Sequence, residues 1–203
     1  GIHPENCGDF RPEDLDAIRA LAREDKVVAI GEIGLDYYWP ENPPRPLQQQ
    51  VLRSQLALAR ELDIPVTMVT DTYQFPMDQA MLTIYPPVGA GDLNEQGLTF
   101  LCSAGDFDAL ITGDMAGNTE KKLVERFDLP DIEVLVVGHH GSRYSSTDAF
   151  LQQVRPETAI ISVGDNSYGH PTQEAMDRLS RNGATVYRTD RQGNVLVTVN
   201  GGT

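Results

Sequence analysis

Histidine and acidic side chains gather just past the ends of apolar runs in this sequence. Gly138-His139-His140-Gly141-Ser142 follows the run ending at Val137 and sets two adjacent imidazoles between glycines. Small neighbours let a metal ion, a phosphate or another backbone come close. One ring of such a pair can ligate a metal while the other donates a hydrogen bond to an anionic substrate. Thr112-Gly113-Asp114 follows a second run. A carboxylate at a strand's end, followed by a turn, points off the sheet edge, which suits a metal ligand; a turn-forming Asp that caps the next helix is the alternative. Tyr168-Gly169-His170-Pro171 repeats the placement after a third run, with a capping or surface role open for His170. Ser142 to Ser146, with Arg143 and Tyr144, could hold a phosphate by hydrogen bonds or simply form a turn.

Three of these sites share one kind of position, the loop after the carboxyl end of a strand, where open α/β sheets place their ligands. The strands are read from short continuous apolar runs: 81–85, 98–101, 109–112, 134–137 and 159–163. Helices fit between them at Asn118 to Arg126, Asp148 to Val154 and Gln173 to Arg181, the last with Pro171 ahead of it and Gly183 after it. Residues 185–187 and 195–199 suggest a closing hairpin. The first third has a different rhythm. Pro12 opens a helix with Leu15, Ile18, Leu21 and Ala22 on one face. Val27 to Ile30 reads as a buried strand, Gly31 to Pro46 as a loop, and Leu47 to Leu62 as a helix with Leu47, Val51, Leu52, Leu56 and Ala59 on one side. Ile64-Pro65-Val66 then starts another extended segment, and strand, helix, strand is the arithmetic of a parallel crossover unit.

The 203 residues are 40% apolar and 23% charged, an ordinary globular balance. The formal net charge of −14 disfavours passive, charge-driven wrapping of nucleic acid. It leaves room for a nuclease, because bound metal ions reverse the field in a small cleft. No run approaches the roughly 18 apolar residues of a membrane span, and no signal-peptide pattern opens the chain. A start at Gly1 without Met suggests a processed product or a fragment. Cys7 and Cys102 form no metal-spacing pair and read as two reduced thiols.

From about Tyr73 to Gly202 the chain resembles the C-terminal half of the metallo-β-lactamase-like domain of ComEC-type competence proteins, the DNA-uptake family. The motifs are Tyr85-Pro86-Pro87, Asp92-Leu93-Asn94-Glu95, Ile111-Thr112-Gly113-Asp114, Gly138-His139-His140-Gly141-Ser142, Ser145-Ser146, Ile161-Ser162-Val163-Gly164, Tyr168-Gly169-His170-Pro171 and Tyr187-Arg188-Thr189-Asp190. The resemblance implies an αββα sandwich with two metal ions, zinc or manganese, and hydrolysis of DNA phosphodiesters. It puts the bridging carboxylate on Asp114 and a metal-ligating imidazole on His140. It turns His139 toward the substrate phosphate, a task Ser142 could share, and leaves His170 near the site as a further candidate ligand.

Residues 1–66 are similar to TatD-type metal-dependent deoxyribonucleases, which are β/α barrels. Gly1-Ile2-His3-Pro4-Glu5, Ala29-Ile30-Gly31-Glu32-Ile33-Gly34-Leu35-Asp36-Tyr37-Tyr38 and Leu62-Asp63-Ile64-Pro65-Val66 carry that similarity. It implies that Glu32 is a metal-bridging glutamate at a strand's end. Both patterns are incomplete. The barrel pattern wants a histidine pair ahead of Gly1 and another histidine about where Val69 stands. The sandwich pattern wants a His-x-His-x-Asp-His cluster, and the chain has only four histidines, at 3, 139, 140 and 170. The expectation is therefore a mosaic joined between about Pro65 and Tyr73. Its fold class is α/β, a partial αββα sandwich over 73–203 preceded by a βαβ piece of barrel type over 1–66. The two pieces either cover each other in a single body or are loosely tethered. The residues encode a metal-dependent DNA hydrolase with an incomplete metal site; a TatD-like nuclease working through Glu32 and a non-catalytic remnant are the alternatives.

Overall fold

The computed structural model describes residues 1–90 and 93–199. Asp92 of the Asp92-Leu93-Asn94-Glu95 motif and the end of the chain from residue 200 lie outside the described residues. The chain divides into two compact units, Gly1–Met68 and Val69–Thr203.

In the first unit a 3-10 turn at Pro4–Asp9 precedes helix α1 (Asp14–Leu21) and helix α2 (Arg45–Glu61). Asp14 and Asp16 lie in the first turn of α1 and Arg19 in its last, each sign matched to the helix dipole. Arg19 ties the helices together through a fork on Glu61, at 2.8 and 3.0 Å. The buried side of α2 is Gln48, Val51, Gln55, Leu58 and Ala59 rather than the stripe through Leu47, Leu52 and Leu56. The glutamines account for the rotation. Gln55 accepts from Ile2 N–H at 2.6 Å and donates to Ile2 C=O at 3.1 Å. Gln48 does the same at Asp36, both at 2.8 Å. Each buried amide satisfies one extended peptide, as a neighbouring strand would.

The expected βαβ piece does not form. No strand lies within residues 1–68; residues 27–30 and 64–66 are unpaired, and Val28 is 84% exposed. A parallel strand exists only through the ladder it makes with neighbours, and this unit supplies none. Val27 to Ile30 has the apolar composition of a strand without flanking strands to pair with.

The second unit is a mixed α/β layer. Its elements in chain order are β1 (Tyr73–Met77), β2 (Ala80–Tyr85), β3 (Thr99–Ala104), β4 (Phe107–Ile111), α3 (Gly117–Arg126), β5 (Val134–Val136), α4 (Asp148–Val154), β6 (Thr158–Ile161), α5 (Gln173–Arg181), β7 (Thr185–Arg188) and the short α6 (Thr189–Gln192). The strands form one seven-stranded sheet in sequence order. β1 to β4 are antiparallel neighbours, and β4 to β7 are parallel. Asp78 and Gly105 take φ of +52° and +61° in the two-residue turns that close the β1–β2 and β3–β4 hairpins. From β4 onward each connection carries a helix, as parallel pairing requires.

Register lines up Thr83, Leu101, Leu110, Leu135, Ala159 and Val186 in one row across β2 to β7. Leu123 of α3, Phe150, Leu151 and Val154 of α4, and Leu179 of α5 join that row in a single core. Each such fully buried leucine or phenylalanine contributes roughly 1.5–3 kcal/mol. The closing hairpin is absent: residues 195–199 form no strand, and Leu196 is 88% exposed. Instead the chain turns into α6. Thr189 Oγ1 donates to Val163 C=O at 2.7 Å, and Gln192 accepts from Arg188 N–H at 2.7 Å, so the backbone bends away from the sheet at Arg188.

Candidate functional site

β4, β5 and β6 are adjacent and parallel, so the loops after their carboxyl ends leave the sheet at one edge. This topology brings together residues 25 to 56 positions apart. Asp114 follows β4, His139 and His140 follow β5, and His170 sits in the long loop after β6.

The β5 turn is tightly specified. His139 and His140 are both left-handed, with φ/ψ of 51/41° and 53/27°. Two successive non-glycine residues in that region are unusual and cost about 1–3 kcal/mol each, which the surrounding contacts must offset. His139 N–H donates to Gly113 C=O at 3.0 Å and so fastens the β5 turn to the β4 turn. Gly141 continues the turn at φ +82°, where a Cβ would lie 2.5 Å from Pro171 Cβ. Gly138 packs its α-carbon against the buried Thr112 hydroxyl, 3.0 Å from where a Cβ would stand.

Within this frame His140 Nδ1 lies 2.8 Å from Ser162 C=O. A carbonyl oxygen only accepts, so Nδ1 carries a hydrogen and the ring is turned with Nε2 toward Asp114. Nε2 is 3.8 Å from Asp114 Oδ1. The carboxylate and the oriented imidazole face each other across a gap too wide for a direct hydrogen bond. The His139 and His170 rings meet edge to face at 5.7 Å, and Tyr168 stacks on His170 at 6.1 Å. Burial depresses the pKa of His170, and His139 and His140 push it further down, against Asp114. Both effects favour the uncharged ring. Among the described residues, His170 Nδ1 and the Thr112 and Ser146 hydroxyls are buried without a hydrogen-bond partner. The structure thus gathers Asp114, His139, His140 and His170. Ser142 lies in the same loop, but its hydroxyl is buried and accepts Tyr144 N–H at 3.3 Å within its own turn. Glu32 belongs to the first unit. Its carboxylate is 84% exposed and stands 3.8 Å from His3 Nε2, a partner the sequence reading did not assign.

Three supporting residues were also missed. Glu120 on α3 is fully buried and accepts from Ser146 N–H, from Thr147 N–H and from the Thr147 hydroxyl. Arg178 on α5 donates to the carbonyls of Arg143, Ser145 and Ser146 at 2.7, 2.8 and 3.1 Å. Glu95 accepts Ala116 N–H at 3.0 Å. Together they hold the Arg143–Thr147 loop and the turn after Asp114. The only trace of Glu120 in the sequence is its spacing: it stands three residues before Leu123, on the apolar face of its helix.

A metal-dependent site needs about three protein ligands and an open position. The described residues contain no group of three or more His, Cys, Asp or Glu side chains that could hold a metal ion. The Asp114–His140 edge places a carboxylate oxygen and an imidazole nitrogen 3.8 Å apart, with the unpartnered His170 Nδ1 in the neighbouring loop.

Comparison with known proteins finds two kinds of relative. Residues 1–77 match the family described as TatD related DNase. ComE operon protein 3 of Bacillus subtilis is 38% identical over 103 residues, which is 50% of this chain and 13% of that protein. The uncharacterized metal-dependent hydrolase YabD of Bacillus subtilis is 47% identical over 66 residues, 32% of this chain and 26% of that protein. The 3'-5' ssDNA/RNA exonuclease TatD of Citrobacter koseri is 44% identical over 68 residues, 34% of this chain and 26% of that protein. The chain is a mosaic of competence-protein and TatD-type sequence, and it spans about a quarter or less of each of these relatives.

Proposed function

We propose that the edge formed by β4, β5 and β6 is the surviving part of a metallo-β-lactamase-type, competence-protein phosphodiesterase site for DNA, with its catalytic power impaired by missing metal ligands. The observation that carries this reading is the convergence of Asp114, His139, His140 and His170 at one sheet edge, with His140 oriented by Ser162 C=O at 2.8 Å. Support also comes from similarity to ComE operon protein 3. In this reading Asp114 and His140 are metal ligands and His170 a half-buried imidazole beside them. His139 is the donor to a phosphate oxygen, and Ser142 shapes the turn that presents it.

The loss of a full donor set makes activity low. Single-stranded DNA with added manganese or zinc is the test substrate for the full chain. Weak cleavage that falls at least tenfold in Asp114→Ala and is unchanged in Glu32→Ala supports the assignment. Cleavage indifferent to Asp114→Ala removes it. Loss on Glu32→Ala instead favours a second reading, a TatD-like nuclease remnant, for which the 3.8 Å approach of His3 to Glu32 is the specific observation. Absence of cleavage and of metal binding in all three proteins leaves a non-catalytic remnant.

A further inference from the structure

The seven-stranded sheet is apolar on both faces. One face carries the core row and the helices. Side chains alternate along each strand, so the neighbouring residues form the opposite face. There register aligns Tyr73, Ile84, Phe100, Ile111, Val136, Ile160 and Tyr187 in a single row across all seven strands. The next row on that face runs from Phe75 through Leu82 to Thr185, with Val134 of β5 buried within it. Neither row contains a charge. No member of the first row is buried, and Ile111, on the central strand, is 40% exposed. Soluble domains seldom leave a contiguous apolar surface of this extent open.

We propose that this face is a self-association surface, on which a second copy of the chain packs sheet to sheet. Seven strands at about 4.8 Å spacing and about 15 Å of strand length give roughly 500 Å² per copy, or about 1,000 Å² in all. That is at the lower limit of a specific interface, so the dimer dissociates on dilution. The surface is complementary to itself: an aliphatic centre meets an aliphatic centre, and Tyr73 and Tyr187 stand at the two outer strands with hydroxyls suited to a wet rim. A nucleic acid would need cations here, and the two rows have none. The net charge of −14 lies off this face and repels between copies, so added salt strengthens the association.

Sedimentation equilibrium of the full chain from about 1 to 100 µM tests the proposal, with Ile111→Lys as the central variant. The expected mass rises toward twice the 22.3 kDa of one chain, more readily at higher salt. Ile111→Lys is expected to weaken association at least tenfold while retaining the circular dichroism of the parent. If that variant does not fold, Tyr187→Lys on the outer strand, already 41% exposed, replaces it with the same expectation. A single-chain mass at every concentration overturns the proposal and means that another occupant covers the face. Dimers unaffected by the lysine variant overturn it equally, since the contact then lies elsewhere.

Discussion

Glu120 places a carboxylate where water does not reach, and desolvation raises its pKa above the usual carboxylate value, against the pull of Thr147, Ser146 and Arg178. A raised folded pKa contributes stability that is fully present below the unfolded value of 4.5 and is lost as pH rises through the folded one. Three donors converge on two carboxylate oxygens, so in Glu120→Gln the amide NH2 must face at least one of them. An unsatisfied buried donor costs about 1–3 kcal/mol. Glu120→Gln is therefore expected to lower unfolding free energy by about that amount. Because only the parent gains stability as its carboxyl takes up a proton, the difference should narrow as pH is raised from 4.5 toward 8. Urea titrations of both proteins across that range check the sign. A gap that widens with pH would mean that the Glu120 carboxylate is better solvated in the fold than its burial indicates.

Turns, rather than strands, decide the candidate site at the scale of elements. Gly141 takes φ +82° against Pro171, where a Cβ would lie 2.5 Å from one proline carbon and 3.1 Å from the proline α-carbon. Gly141→Ala should cost about 1–3 kcal/mol from the left-handed backbone and the clash. It should also displace His140 from Ser162 C=O, a change visible in the His140 ring resonances at temperatures where the variant is folded. The regular elements of this unit were legible in the sequence. Residues 148–154 and 173–181 are helical over the expected spans, and five apolar runs became β2 to β6, because each run has sheet neighbours on both sides. The gathering of Asp114, His139, His140 and His170 followed from their shared placement after such runs. What failed had its cause outside the segment. Val27 to Ile30 has strand composition without partners, and residues 195–199 have it too, but Thr189 and Gln192 turn the chain aside first. Strand β1 went unread because Tyr-Gln-Phe-Pro-Met lies at an edge and is exposed along its whole length. Arg178 was invisible because its partners are backbone carbonyls, and Glu120 because all but the Thr147 hydroxyl of its partners are backbone N–H groups, which carry no residue identity.

Stability should be unevenly divided between the two units of the whole chain. Among the described residues, the second unit has one continuous core of sixteen buried apolar residues. Only Cys7, Val51, Leu58 and Ala59 are buried hydrophobic residues in the helical part of the first, which exposes Leu21, Val28, Tyr38, Trp39 and Met68. Sixty-odd residues with so little apolar burial sit near the limit at which a domain folds alone. Two glutamine-to-backbone pairs add only about 1 kcal/mol apiece, and the solvent-screened Arg19–Glu61 fork adds little. Native-state hydrogen exchange is thus expected to show α2 amides at least a hundredfold less protected than those of Leu110, Leu135 and Ile161. Equal protection would mean that the first unit unfolds only with the second, and hence that the mosaic has become one cooperative structure. With unequal protection, mild heating opens α1 and α2 while the edge bearing Asp114 and His140 stays in place. Any Asp114-dependent cleavage should then survive that heating, and any Glu32-dependent cleavage should vanish with α2.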